Sequence, residues 1–124
     1  MKYGTPTKAA RMQAVADLID AGSSFGRIEI GTPLMGTVLA AIELEKPCGV
    51  VAGAVLTFSG FPLSDLTADA SGTAAAARIV DSDGNVIVDE LSVGTSTGDL
   101  RLGSLAIVLG QPVQLDSAAI THAT

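Results

Sequence analysis

The chain has 124 residues, a formal net charge of −6 at pH 7 and a hydrophobic fraction of 48%. This hydrophobic fraction excludes a wholly disordered chain, and the length suits one domain with a real core. We expect a single domain over residues 1–124, in which residues 1–24 form an arm and a helix and residues 25–124 form a β-sandwich.

Composition excludes several classes of function. Seven Lys and Arg residues stand against thirteen Asp and Glu residues, and nucleic-acid binding needs clustered positive charge. Aromatic residues make up 3% of the chain, which is too few for a typical site that binds sugars, nucleobases or flat cofactors. The longest apolar run is far shorter than the roughly 20 residues that span a bilayer. We therefore expect no nucleic-acid partner, no membrane partner and no cofactor.

A helix is predicted near the N-terminus, over Pro6–Ala21. Thr5 is a good N-cap residue, and Pro6 loses no helical hydrogen bond at the first helical position. Gly22 is suited to ending the helix. This helix has an apolar face that must be covered, either by the chain's own sheet or by a neighbouring subunit. The residues of that face are Ala9, Met12, Ala16 and Ile19, with Val15 and Leu18 widening it.

Positive charge is concentrated at the start of the chain. Lys2, Lys8 and Arg11 precede the first acid, Asp17, whereas eleven of the thirteen acids follow Ile28. Two interpretations remain open, a solvated helix start and a basic arm that docks on an acidic partner. We take Lys2, Lys8 and Arg11 as the candidate partner-docking residues.

Beyond the helix, the apolar residues alternate as they do in half-buried strands. Arg27–Ile30 is a short strand of this kind. Thr37–Glu45 is rich in residues that favour helices, but its alternation runs to the end and a Pro47–Gly49 turn follows, so we favour a strand. Val50–Ser59 is predicted as a strand in which Gly53 marks a bulge or a close backbone approach.

The strongest local signal is a hairpin within Ala74–Leu91. β-branched residues flank the turn Asp81-Ser82-Asp83-Gly84-Asn85 on both sides, and Gly84 supplies φ > 0 without a Cβ clash. The alternating side chains of Asp81, Asp83 and Asn85 are secondary candidates as calcium ligands. An EF-hand loop would place a Glu at the twelfth position from Asp81, where this chain has Ser92. We favour the plain turn.

The rest of the chain is predicted as short strands separated by turns. About eight short strands with closely spaced turn signals are typical of a β-sandwich or jelly roll. The predicted fold is therefore mainly β, a β-sandwich or jelly-roll-like domain with one N-terminal α-helix. Leu63–Gly72 and Ser92–Gly98 are predicted connections, and the later predicted strands are Asp99–Leu102, Ser104–Leu109, Val113–Asp116 and Ala118–Ala123.

No set of residues predicts catalysis. Cys48 and His122 are the single cysteine and the single histidine. Cys48 lies in a predicted turn, and His122 lies where chains fray, so its side chain is expected to be exposed and inert. We expect no catalytic residue and no enzymatic activity. The paired acids are interpreted as solvated strand ends, Glu43 with Glu45 and Asp89 with Glu90.

Four segments of the chain resemble small structural proteins encoded in the virion gene blocks of tailed bacteriophages. They are MKYGTPTKAARMQAVADLIDAG, FGRIEIGT, GVVAGAVLTFSGFPLSD and SGTAAAARIVDSDGNVIVDEL. The resemblance covers most of the chain and implies a capsid decoration (cement) protein, with a tail or head–tail joining protein as the alternative. It implies a homo-oligomer, commonly a trimer, that binds the lattice of the major capsid protein.

The resemblance also implies a location on the capsid surface of the virion, after synthesis in the cytoplasm of the host bacterium. A function of a different class stays open, a small β-sandwich binding module, either calcium-dependent or directed at carbohydrate, although the low aromatic content argues against stacking on sugars. Strands that are apolar on both faces, such as Val50–Ser59, favour the oligomer because a lone sandwich normally has polar outer faces.

Overall fold

The computed structural model of the chain describes residues 3–60, 63–65, 67–95 and 98–122. The fold is mainly β and β-sandwich-like, with one N-terminal α-helix among the described residues, as the sequence predicts. The helix α1 spans Thr5–Asp20, and a 3₁₀ turn spans Pro33–Met35.

Twelve strands are present in the described residues. They are β1 (Arg27–Gly31), β2 (Val38–Glu43), β3 (Gly49–Ala52), β4 (Val55–Phe58), β5 (Leu63–Asp65), β6 (Gly72–Thr73), β7 (Ala76–Val80), β8 (Val86–Leu91), β9 (Val93–Gly94), β10 (Leu100–Leu102), β11 (Ala106–Ile107) and β12 (Val113–Thr121).

The strands form two main sheets and one short ribbon. The first sheet has the order β2-β1-β7-β8, and the second has the order β3-β4-β12-β10-β9. Strand β12 also pairs with β5, and β11 pairs with β6 in the ribbon. All of these pairs are antiparallel except β9 with β10. Strand β12 is thus the centre of the second sheet, because β4 and β5 share one of its edges and β10 takes the other.

The core lies between the helix and the inner faces of the sheets. Alternation along β1 turns Ile28 inward, where its cross-strand partners are Ile42 on β2 and Ile79 on β7. All three side chains are completely buried, and each such burial contributes about 1.5–3 kcal/mol. The helix adds Met12, Ala16 and Ile19 to the same core cluster.

The helix covers its apolar face with the chain's own strands, since it contacts β3, β4 and β8. Leu18, which we expected to widen that face, is instead exposed. The helix begins one residue earlier than predicted, and its N-cap is Gly4 rather than Thr5. Gly22 does not adopt φ > 0; it is needed for space, because an added Cβ would clash with the Ser82 side chain.

One predicted strand is in fact a hairpin. Val50–Ser59 divides into β3 and β4, which pair from Gly49 with Phe58 to Ala52 with Val55. The turn between them contains Gly53 at φ 60, a conformation that suits glycine in a two-residue hairpin loop. The alternation of apolar residues continues through this short turn, which is why the pattern predicted one strand.

Other predicted boundaries need correction. The two predicted strands at the end of the chain form one continuous strand, β12. Its pairing with β10 is irregular, because Arg101 pairs with Ser117 and Leu102 with Leu115, so that the pairing skips Asp116. The predicted strand Ser104–Leu109 shrinks to β11. The predicted connections Leu63–Gly72 and Ser92–Gly98 contain β5, β9 and the start of β6. The strand in Thr37–Glu45 is confirmed as β2.

Candidate functional site

The basic segment at the start of the chain is held against the end of β12. The Nε atom of Arg11 donates a hydrogen bond to Nε2 of His122 at 2.9 Å. The Arg11 guanidinium also lies over the Tyr3 ring, 4.4 Å from its centroid. The rings of Tyr3 and His122 meet edge to face, 5.7 Å apart at 84°. Tyr3, Arg11 and His122, which we call the terminal cluster, therefore form three mutual contacts.

The local fold explains how this cluster forms. Arg11 lies on the exposed face of α1, one residue before the buried Met12. His122 follows the last residue of β12, and its backbone N–H donates to the Ala54 carbonyl at 2.8 Å, which extends the sheet pairing past β12.

The three candidate docking residues fall in different settings. Lys2 lies outside the described residues. Lys8 is half-buried on α1, and Arg11 is exposed one turn later on the same side of the helix. The sequence predicted this basic segment but missed its neighbours Tyr3 and His122. His122 is half-buried and bonded rather than exposed and inert, because β12 carries it to the helix.

The predicted turn between β7 and β8 is confirmed, and one carboxylate organises it. Oδ1 of Asp81 accepts hydrogen bonds from the backbone N–H groups of Asp83 at 3.0 Å and Asn85 at 2.9 Å. Its Oδ2 accepts one from Nδ2 of Asn85 at 3.1 Å. The hydrogen bond from the Asn85 side chain, followed by that from its backbone, lowers the pKa of Asp81. Gly84 has φ 90, as the turn requires.

Of the three secondary calcium candidates, Asp81 thus uses both of its carboxylate oxygens as hydrogen-bond acceptors within the turn. Asp83 and Asn85 are exposed at its tip. Across the described residues, no group of three or more His, Cys, Asp or Glu side chains is placed to hold a metal ion.

Cys48 is buried at the junction between the helix and β3. Its backbone N–H donates to Oδ2 of Asp20 at 3.2 Å, and its Sγ lies 3.9 Å from the Ala16 carbonyl oxygen. Burial, assisted by the negative charge of Asp20, raises the pKa of the Cys48 thiol to about 12. The thiol is therefore protonated at neutral pH and lies among different neighbours from those of His122.

Two acidic pairs were interpreted as solvated strand ends. Glu43 and Glu45 are exposed and line a shallow groove of about 500 Å³ together with Phe25 and Pro47. Lys46, which lines the same groove, donates from Nζ to the Gly22 carbonyl at 2.7 Å.

The second pair belongs to a strained segment. Asp89 and Glu90 together oppose the single residue Arg78, because Ala77 pairs with Leu91 and Ile79 with Val88. In this bulge Glu90 has φ 56, which is uncommon for a residue with a side chain. Oδ1 of Asp89 accepts a hydrogen bond from the Glu90 N–H at 2.8 Å.

A groove of about 610 Å³ lies beside this bulge. Met35, the other non-glycine residue with φ 56 among the described residues, lines it together with Glu90 and Arg78. Arg78 is paired across the strands with Glu29, at 2.7 Å between Nε and Oε1. Strained backbone conformations cluster at active sites and ligand-binding sites, so this groove is a second candidate site.

None of the described helices is long and apolar enough to cross a membrane. Comparison with protein-family models, with curated proteins and with solved structures found no match to this chain.

Proposed function

We propose that this protein is a non-enzymatic virion component, a capsid decoration protein that binds and stabilises the head lattice of a tailed bacteriophage. Its sequence resemblance to phage structural proteins supports this proposal. The observation that carries it is the terminal cluster, which fixes a basic segment to one end of an acidic β-sandwich-like body. A chain of net charge −6 gains from such a segment when it approaches an acidic surface.

Docking would use the exposed side of the helix. Arg11 gives its Nε hydrogen to His122, and a guanidinium has further N–H donors that can bind carboxylates of a partner. Lys8 lies one turn earlier on the same side. Stacking on Tyr3 and bonding to His122 orient the guanidinium before contact, so less conformational freedom is lost on binding.

The proposal includes self-association, as a trimer on the capsid surface after synthesis in the bacterial cytoplasm. Each exposed ion pair contributes only about 0.2–1 kcal/mol. Several copies joined together engage several such pairs at once, and their effective concentration then turns weak contacts into stable attachment. The proposed partners are therefore other copies of this chain and the major capsid protein, with no cofactor, nucleic acid or membrane.

The test is cosedimentation with purified phage particles. A major capsid gene beside the gene for this chain would identify the phage whose particles should be used. We expect the protein to sediment with empty heads and not with isolated tails of that phage. Sedimentation with tails alone would instead support the alternative of a tail protein. Failure to sediment with either particle at micromolar concentration would refute a virion role.

A further inference from the structure

The loop between β11 and β12 presents two adjacent aliphatic side chains to solvent. Val108 and Leu109 are 56% and 61% exposed. They open a tight turn that the Gln111 N–H closes by donating to the Val108 carbonyl at 3.0 Å. Gly110, at φ 81, occupies the turn position that favours glycine. The geometry of the turn therefore leaves the Val108 and Leu109 side chains exposed to solvent.

This turn is fixed to the rest of the molecule by hydrogen bonds to one neighbouring loop. Gly110 donates to the Ala68 carbonyl at 3.0 Å, and Ala68 donates to the Gln111 carbonyl at 2.9 Å. The Leu109 N–H donates to Oγ of Ser71 at 2.8 Å. Because the backbone is already ordered, the tip can bind a partner without paying to order the loop.

Charge is missing from this part of the chain. From Leu102 to Leu115 the sequence contains no charged residue, and the same is true of residues 70–77, which supply the paired strand β6. The whole chain carries thirteen acids and seven bases. Depletion of charge with exposed aliphatic side chains is characteristic of the buried centre of an interface.

A depression lies beside the turn. Its volume is about 200 Å³, whereas a cavity of about 150 Å³ already holds a benzene-sized group. It can therefore receive an aliphatic side chain of the size of leucine. Its lining is entirely uncharged and consists of Gly103, Ser104, Ala106, Ile107, Pro112, Val113 and Gln114. The same surface thus carries a projecting apolar tip and a recess that accommodates such a tip.

We propose that this surface binds a second copy of the chain, with Val108 and Leu109 of one copy entering the depression of the next. The matching shapes select a second copy as the occupant, because one surface carries both the apolar tip and a depression of the size that such a tip fills. Contact between two chains of net charge −6 is opposed wherever acids meet, and neither the tip nor the lining of the depression contains an acid; the nearby Asp116 carboxylate accepts a hydrogen bond from Nε2 of Gln114 at 2.8 Å. The inference rests on the self-association included in the proposed function and assigns a surface to it.

The position of the surface leaves the terminal cluster accessible. Val113, in the depression, begins β12, and His122 follows its end. The nine residues of β12 cover roughly 26 Å at about 3.3 Å per residue. Self-association at one end of β12 is therefore compatible with capsid docking at the other.

The test compares molar masses by light scattering across the soluble concentration range. The double variant Val108→Ser/Leu109→Ser removes the apolar tip and leaves Gly110 in place, and Ala106→Glu places a charge at the depression. Val50→Ser is the matched control, since Val50 is 66% exposed on β3, outside this surface. Thermal melting should show that all variants fold.

We expect the parent and Val50→Ser to show a multiple of the 12.4 kDa chain mass, and both interface variants to fall to the mass of one chain. A monomeric parent, or interface variants that keep the parental mass, would overturn the inference. Cosedimentation with phage heads tests the proposed function separately. If the interface variants become monomeric but the parent does not bind heads, the capsid role is refuted and the self-association surface stands.

Discussion

Nε of Arg11 and Nε2 of His122 are joined by a hydrogen bond that connects positions 111 residues apart in the sequence. This bond fastens the helix to the final strand at the point where the basic segment is presented. A contact of this kind has two roles, since it contributes to stability and also determines where a positive charge is held.

Replacing His122 with Ala should lower stability and loosen the start of the helix. The variant loses the hydrogen bond from Arg11 and the ring contact with Tyr3, which together contribute about 1 kcal/mol. We expect a fall of roughly 3–6 °C in Tm and faster amide exchange between Lys8 and Met12. Thr121→Ala, at the exposed end of β12, is the control. Equal melting of the two variants would show that the terminal cluster adds nothing to stability.

Reversing charge on the helix should weaken attachment to phage heads. In Lys8→Glu/Arg11→Glu the two ion pairs proposed with carboxylates of the capsid, at about 0.2–1 kcal/mol each, become repulsive contacts. We expect at least several-fold weaker cosedimentation, with less dependence on salt than in the parent. Lys46→Glu/Arg101→Glu is the matched control because it changes the net charge by the same amount elsewhere. If both double variants bind equally, net charge and not the basic segment governs docking.

The substitution Gly84→Val tests the structural role of the β7–β8 turn. Gly84 has φ 90, and an added Cβ would meet no atom within 4 Å. Replacement by Val should therefore cost about 1 kcal/mol or more from backbone strain alone. Gly103→Val is the matched control, since Gly103 also has open space but no positive φ. Urea unfolding measures the free energy of unfolding of both variants. Similar losses of stability in the two would contradict the strain explanation.

Calcium should leave the melting temperature of the parent unchanged, because the Asp81 carboxylate is already used by N–H donors of its own turn. The measurement is a melt with millimolar calcium against one with a chelator. A clear rise in Tm with calcium would identify Asp81, Asp83 and Asn85 as ligands and would favour the calcium-dependent binding module.

Cys48 should be unreactive in the folded protein. Burial raises the pKa of its thiol from 9.0 to about 12, so the reactive thiolate is scarce. We expect alkylation at mildly alkaline pH to proceed only in denaturant. Because the folded pKa is the higher one, the folded state favours the protonated thiol. Its contribution to stability is complete below pH 9.0 and declines as pH rises from there towards about 12.

Cys48→Ala checks the pH dependence directly. The variant cannot ionise at this position, so the difference in unfolding free energy between parent and variant should shrink as pH rises above 9.0. Rapid alkylation of the native parent, at the rate of a free thiol, would show that the site is accessible and ionised.

Local chemistry explains which elements could be predicted. The β7–β8 hairpin follows from Asp81 and Gly84, which act within a few residues of their own positions. The division of Val50–Ser59 was missed because both strands of the β3–β4 hairpin keep the same alternation across Gly53. Periodicity alone cannot separate one long strand from two short strands joined by a two-residue turn.

Contacts between distant segments account for the rest. The sequence placed positive charge on the helix, but nothing in its spacing indicates that Arg11 meets His122 or that Tyr3 lies under the guanidinium. Those contacts depend on the path of β12, which was itself predicted as two strands. The Val108–Leu109 tip was likewise predicted as strand, because its two aliphatic residues continue the apolar run of β11.

The central position of β12 also has a kinetic consequence. Strand β4 pairs with β12, where Thr57 opposes Ala119. During synthesis β4 therefore leaves the ribosome long before β12, the strand that covers its edge. Pairings so distant along the chain slow folding, since a large loop must close before they form. Until then β4 is an unprotected strand edge beside apolar surface, and intermediates of that kind are prone to aggregate. Production at low temperature or with chaperones should therefore raise the yield of folded protein.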